Sequence, residues 1–95
     1  MTTVHIPALL RDLTGGAEQL DVELPAGETV SVRELLRTLE QRHPGLWARL
    51  IDPATDDLVP HLAVFIEGEP AGMGLLAKVG PEDNLFFLAP IVGGA

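Results

Sequence analysis

Two kinds of periodicity follow one another along the first half of the chain. Apolar and polar residues alternate through QLDVEL (residues 19–24), which predicts a strand with one buried face. The start of the chain, TVHI, shows the same alternation, and Gly15-Gly16 lies between the two segments. Because glycine tolerates the positive φ of a tight turn, residues 3–24 are predicted to form a hairpin with a loop.

The alternation then gives way to a helical period. Ser31 and Glu34 have the spacing of a capping box, in which each side chain satisfies a free amide of the first turn. Pro44-Gly45 is typical of a helix end. A helix is therefore predicted from about Val32 to Arg42, and its apolar face consists of Val32, Leu35, Leu36 and Leu39.

The second half of the chain contains two apolar runs. HLAVFIEGEP (residues 61–70) predicts a strand buried on both faces or nearly so, closed by a turn. LFFLAP (residues 85–90) predicts the last strand. Between the helix and these runs, residues 46–51 hold the only tryptophan and are expected to cover one end of the core.

The predicted order is strand, strand, helix, strand, strand. A sheet that packs on one main helix buries the single apolar stripe of that helix, as a two-layer domain requires. This order predicts an α+β fold of the β-grasp (ubiquitin-like) type, with a mixed sheet and the final strand beside the first. Residues 1–90 are assigned to the β-grasp domain, and residues 91–95 to a flexible C-terminal Gly-Gly tail.

Composition excludes several classes of function. The formal net charge of −8 argues against a nucleic-acid partner, because phosphate binding needs clustered Lys and Arg. The chain has no cysteine, which excludes disulfides, thiolate metal sites and thiol nucleophiles. No run approaches the roughly 18–20 apolar residues that span a bilayer. No membrane partner is expected, and the amino terminus lacks the features of a secretory signal, so a cytoplasmic location is predicted.

Most polar residues have an ordinary structural explanation. Capping accounts for Ser31, and the glycines at 15 and 16 lack the lysine and helix of a phosphate-binding loop. No metal site is predicted, because the aspartates of residues 52–57 lack the glycine and glutamate of a calcium loop. The histidines likewise lack metal-ligand spacing; they are His5, His43 and His61.

The tandem Phe86-Phe87 is a candidate partner interface. Successive side chains of a strand point to opposite faces, so one phenylalanine packs on the helix and the other faces outward. The outward ring either lies under a loop or belongs to a partner surface. The sequence leaves open which of the two is exposed.

The end of the sequence, APIVGGA, holds the second candidate site. Gly93-Gly94 is either an ordinary terminus or a segment without side chains that threads a narrow channel in a partner enzyme. In the second case the only chemical group such a tail offers is a carboxyl group.

These features together resemble a known family. The β-grasp order with FFLAPIVGG at its end resembles the ubiquitin-like sulfur carriers of the MoaD/ThiS family, along the whole chain. Within that family the chain most resembles the carriers coupled to cysteine biosynthesis, through IPALLRDLTGG, HPGLWARLIDP and LAPIVGG. The resemblance implies a carrier that is not itself an enzyme. It also implies that the carboxylate of Gly94, with Gly93 beside it, is adenylated and converted to a thiocarboxylate.

The resemblance also implies the partners. An E1-like adenylating and sulfurtransferase enzyme would consume ATP, so the chain itself would bind no cofactor, and a biosynthetic enzyme would accept the sulfur. The acceptor pathway stays open, as do two other functions: the small subunit of molybdopterin synthase, and a β-grasp interaction module without carrier chemistry.

Ala95 departs from the family pattern, because it holds Gly94 in an amide bond. Either a peptidase, such as a zinc-dependent JAMM-type metalloprotease, removes Ala95 before activation, or the activating enzyme accepts alanine as the terminal residue. Removal is the favoured alternative, since adenylation at Gly94 needs a free carboxylate.

Overall fold

The computed structural model describes residues 1–24, 28–60 and 62–88. In chain order its helices and strands are β1 Thr2–His5, β2 Gln19–Val22, β3 Val30–Ser31, α1 Val32–Arg42, α2 Leu46–Leu50, β4 Ile51–Asp52, β5 Asp57–Leu58, β6 Ala63–Ile66, β7 Glu69–Pro70, β8 Lys78–Val79 and β9 Asn84–Leu88. Within the same described residues, two 3₁₀ helices lie in the connections; they are Ala8–Thr14 and Gly74–Leu76.

Within the described ranges, the main sheet has five strands in the order β2-β1-β9-β6-β7. The first and last strands are parallel neighbours, with Val4 opposite Leu85, and the other pairs are antiparallel. The short pairs β3-β8 and β4-β5 form separate two-stranded ladders. The predicted α+β, β-grasp fold is confirmed, including the position of the last strand beside the first.

Helix α1 has the predicted bounds and the predicted buried face. The backbone N–H of Glu34 donates to Oγ of Ser31 at 3.1 Å, so Ser31 caps the first turn. The Ser31 hydroxyl lies 3.5 Å from Oε1 of Glu34, so the glutamate contacts the cap through its side chain. The four predicted apolar residues are buried; they are Val32, Leu35, Leu36 and Leu39. They pack against the inner face of the sheet and anchor the core.

The connection between β1 and β2 is more ordered than a simple loop. The 3₁₀ helix Ala8–Thr14 places Leu10 in the core, and Gly15 ends it in the left-handed conformation (φ 69°). The backbone N–H of Leu10 donates to the carbonyl of Pro7 at 2.9 Å. This connection is therefore held to the domain at the end of the sheet where β9 finishes.

The prediction that this apolar run forms a strand buried on both faces, or nearly so, is wrong for β6. Val64 is buried against the core, whereas Ala63 is exposed and Phe65 is half-buried. The helical layer covers one side of the sheet, so alternate residues of β6 point away from it. The sequence is apolar at every position of β6 because the outer face of this strand is itself apolar, and not because a second layer buries it.

Trp47 occupies the place expected for it. Helix α2 buries Leu46 and Leu50, and the half-buried indole packs against the edge of the core. The guanidinium carbons of Arg37 and Arg33 lie 5.2 and 5.8 Å from the ring centroid. The indole therefore has a structural role between these arginines and the core.

Candidate functional site

The described part of the candidate site is the outer sheet face around β9, which we define as His5, Ala63, Phe65, Phe86 and Leu88. Residues 89–95 follow β9 directly and lie outside the described residues. The predicted site residues Gly93 and Gly94, the predicted processing position Ala95 and the predicted domain boundary after residue 90 all fall there. Strand β9, which precedes this segment, carries Phe86 and Leu88 on the outer sheet face.

The two phenylalanines of β9 point to opposite faces, as the strand period predicts. Phe87 is 4% exposed and belongs to the core, next to Val64 in register on β6. Phe86 is half-buried and points to the outer sheet face. Of the two predicted interface residues, Phe86 is therefore the one on an accessible surface, and Phe87 is a core residue.

Phe86 lies at the centre of a row that crosses all five strands of the main sheet. In register, its neighbours are His5 on β1 and Phe65 on β6, and the row continues to Gln19 on β2 and Pro70 on β7. Leu88, which is 50% exposed, faces Ala63 one step nearer to residue 89. The outer sheet face is thus apolar at the end of β9, where the described residues finish.

The rings of His5 and Phe86 stack, with centroids 4.0 Å apart and planes 6° from parallel. Nε2 of His5 lies 3.1 Å from Oδ1 of Asn84, and Nδ2 of Asn84 donates to Oε2 of Glu67 at 3.0 Å. A carboxylate only accepts hydrogen bonds, so the amide nitrogen of Asn84 must face Glu67 and its oxygen must face His5. His5 therefore carries a proton on Nε2, and this network fixes the ring that covers Phe86.

Glu67 is anchored by the same network. Its Oε2 accepts from both the side chain and the backbone N–H of Asn84, the latter at 2.7 Å. These hydrogen bonds favour the charged form and lower the pKa of the Glu67 carboxyl below its ordinary value of 4.5. Glu67 is a negative charge at the edge of the outer sheet face at neutral pH.

A shallow groove of about 420 Å³ lies between Phe86 and the β1–β2 connection. Its walls include His5, Pro7 and Leu88, and its rim holds the ion pair between Arg11 Nη1 and Glu18 Oε1 at 3.7 Å. Glu18 is exposed and Arg11 is half-buried, and at 3.7 Å the pair is long, so it contributes little to stability. The groove has an apolar floor and charged edges, a pattern found at protein interfaces.

Sequence reasoning identified Phe86 but missed His5, Phe65 and Asn84. For His5 the sequence analysis shows only that the histidines lack metal-ligand spacing, because no sequence spacing shows which residue His5 meets on another strand. Phe65 was misassigned with the rest of its apolar run. The period of two in LAVFI and LFFL does predict that Phe65 and Phe86 share a face, once β6 and β9 are known to be neighbours.

The other candidate residues have structural roles. Ser31 caps α1, and Oδ1 of Asp52 accepts from the backbone N–H of Ala54 at 2.9 Å within a turn. Gly15 ends the first 3₁₀ helix. Within residues 1–24, 28–60 and 62–88, no group of three His, Cys, Asp or Glu side chains is placed to hold a metal ion. None of the helices in these ranges is long and apolar enough to cross a membrane.

Solved structures of other proteins share this fold. A chain in the crystal structure of the Amycolatopsis orientalis BexX/CysO complex is 31% identical, with 99% of this chain and 100% of that chain covered and a TM-score of 0.82. SAMP1 from Haloferax volcanii is 25% identical, with 98% of each chain covered and a TM-score of 0.76. Mycobacterium tuberculosis CysO has a TM-score of 0.81 over 96% of this chain and 100% of its own, and its 24% identity supports the fold alone.

No family model matches the chain, and no curated protein matches it in sequence. The match to the Amycolatopsis orientalis structure nevertheless combines 31% identity with nearly complete coverage of both chains. The chain belongs to the ubiquitin-like sulfur carrier and modifier family, which includes MoaD-like proteins. Its structural neighbours are small carrier or modifier proteins rather than enzymes.

Proposed function

We propose that this protein carries sulfur as a thiocarboxylate on Gly94. Membership of the sulfur carrier family is the observation that carries the proposal. The sequence supports it, because Gly93-Gly94 follows the last strand at the position where the family has its reactive terminus. The absence of cysteine leaves an acyl group as the plausible covalent attachment point for sulfur.

The proposed chemistry has two steps. The Gly94 carboxylate attacks the α-phosphorus of ATP, which forms an acyl adenylate and releases pyrophosphate. Sulfide, or the terminal sulfur of a persulfide on the partner, then attacks the acyl carbon and displaces AMP. With a persulfide the product remains attached through a disulfide, and a thiol must reduce that bond to release the thiocarboxylate. The adenylate is needed because a carboxylate oxygen is a very poor leaving group, whereas AMP leaves readily.

We infer that the ATP-dependent enzyme docks on the outer sheet face. Phe86 is the proposed apolar anchor, since aromatic residues often dominate interface energies. The acidic side chains at the rim, Glu18 and Glu67, favour a partner with a basic patch, consistent with the net charge of −8. The 31%-identical relative comes from a structure of a complex with BexX, which supports a protein partner of some kind for this chain.

The amide bond between Gly94 and Ala95 must break before Gly94 can be adenylated. We propose that a peptidase of the zinc-dependent JAMM type cleaves this bond and removes Ala95. A zinc-bound hydroxide can attack the Gly94 carbonyl, and neither glycine has a side chain to obstruct its approach. The sulfur would then pass to a biosynthetic enzyme.

The experiment is intact-mass spectrometry of a chain that ends at Gly94, incubated with its cognate activating enzyme, ATP and a sulfide source. A mass gain equal to the replacement of one oxygen by sulfur supports the carrier function. The control is a reference carrier that the same enzyme converts to a thiocarboxylate. If that carrier gains mass and this chain does not, the remaining function is that of an interaction module. Stable co-purification with a larger subunit would instead indicate the small subunit of a synthase.

A further inference from the structure

A second apolar groove lies at the end of the sheet, on the other side of the exit of β9. We call it the Leu9 groove. It has a volume of about 180 Å³, and among the described residues its lining is apolar except for Arg49; the lining includes Pro7, Leu9, Leu10 and Leu62. A groove with this lining fits an apolar side chain better than a charged or strongly polar ligand.

Leu9 is the most unusual residue of this groove, since it is 80% exposed. Its neighbour Leu10 is buried in the core, and the 3₁₀ helix Ala8–Thr14 holds both in place. The side chain is therefore presented on an ordered element. Burial of a leucine side chain is favourable, so a partner that covers Leu9 gains a stabilisation that the free protein lacks.

The groove adjoins the site already described. Pro7 lines both the Leu9 groove and the groove beside Phe86. Leu62 immediately precedes Ala63, which pairs with Leu88, so the Leu9 groove lies next to the point where residue 89 begins. Both grooves therefore lie beside the end of β9 and can be covered by one continuous protein surface.

The length of the chain after β9 limits how far from the sheet a partner that acts on Gly94 can lie. Gly94 is six residues after Leu88, so it lies within about 22 Å of the end of β9, even in a fully extended chain. An enzyme that acts on Gly94 must therefore approach the end of the sheet closely. Contact on both sides of the exit also fixes the direction in which the chain enters the enzyme, which positions the carboxylate for attack on ATP.

We propose that the Leu9 groove is a second docking site for the activating enzyme, in which Leu9 is covered by an apolar side chain of that enzyme. This inference rests on the proposed function, because it assumes that Gly94 is adenylated. It assigns the β1–β2 connection, in addition to the outer sheet face, to the recognition of one partner.

The test compares Leu9→Asp with Leu76→Asp, both in a chain that ends at Gly94. Leu76 is a matched control, since it is 62% exposed and lies in the other 3₁₀ helix, near the start of α1. Pyrophosphate release is measured with the cognate activating enzyme while the carrier concentration is varied. We expect Leu9→Asp to lower kcat/KM at least about tenfold, mainly through KM, and Leu76→Asp to leave it unchanged.

Thermal unfolding of both variants establishes that they are folded, and Leu9→Ala replaces Leu9→Asp if the charge prevents folding. Equal activity of the Leu9 variant and the Leu76 variant would overturn the docking site while the proposed function stands. Normal adenylation with slow delivery of sulfur to the acceptor would also overturn it, because the occupant would then be the acceptor enzyme. If the unsubstituted chain is not adenylated, the proposed function fails and this inference fails with it.

Discussion

The imidazole of His5 stacks on the ring of Phe86, 4.0 Å away between centroids and 6° from parallel, across the parallel pair of strands that closes the β-grasp sheet. His5 is fixed in turn by Asn84 and Glu67. Phe86 is therefore held in one orientation beside the exit of the chain. A rigid aromatic side chain loses little conformational entropy on binding, which suits it to act as an interface anchor.

Phe86→Ala is expected to weaken activation of the carrier without unfolding it. Truncation of an aromatic anchor costs about 2 kcal/mol or more of binding energy, which corresponds to a loss of about 30-fold in kcat/KM for adenylation. Leu76→Ala, which removes an exposed apolar side chain elsewhere, is the control. Unchanged kinetics in a folded Phe86→Ala variant would remove Phe86 from the interface.

Glu67 is expected to titrate below 4.5, and Asn84→Ala should return its pKa towards that value. The hydrogen bonds from Asn84 favour the carboxylate, so their stabilising contribution is present above pH 4.5 and disappears as the pH falls through the lowered pKa of the folded state. Glu67 is fully exposed, so the effect on stability is small and the titration is the sensitive measurement. A carbon-detected NMR titration that gives equal Glu67 pKa values in both proteins would contradict the hydrogen-bond network.

Ser31→Ala is expected to lower the free energy of unfolding by about 1 kcal/mol, because the N–H of Glu34 loses its acceptor. Ser31→Gly should cost only a few tenths of a kcal/mol, since glycine allows water to reach the amide. Urea denaturation measures both, with Trp47 fluorescence as the probe. Adenylation of a folded Ser31→Ala chain should be normal, and a specific loss of activity would indicate a role for Ser31 beyond capping.

The chain that retains Ala95 is expected to be inert towards the activating enzyme, whereas the chain that ends at Gly94 reacts. Adenylation at Gly94 needs a free carboxylate on that residue, and in the full chain the only terminal carboxylate is that of Ala95. The methyl group of Ala95 would obstruct a partner channel that is shaped around glycine. Parallel incubations of the two chains with ATP and sulfide, followed by mass spectrometry, make the comparison. Formation of a thiocarboxylate on Ala95 at the rate seen for Gly94 would exclude the requirement for a peptidase.

The sequence predicted those elements whose signals are local. The bounds of α1 followed from the Ser31 cap and from the leucines at helical spacing, and β2 followed from strict alternation. The burial of β6 could not be predicted in this way. An apolar run is compatible with a sheet covered on one face or on both, and only the tertiary structure shows whether a second layer is present. The pairing of His5 with Phe86 joins residues from the two ends of the chain, and only the sheet order brings them together.

The central claim is that Gly94 carries the sulfur, and the most direct measurement locates the sulfur atom by fragmentation mass spectrometry. The chain ending at Gly94 is incubated with activating enzyme and sulfide, with and without ATP. The account predicts an oxygen-to-sulfur mass gain that appears only with ATP and maps to residue 94. A gain that maps to another residue, or no gain under conditions in which the enzyme releases pyrophosphate and forms the adenylate, would contradict it.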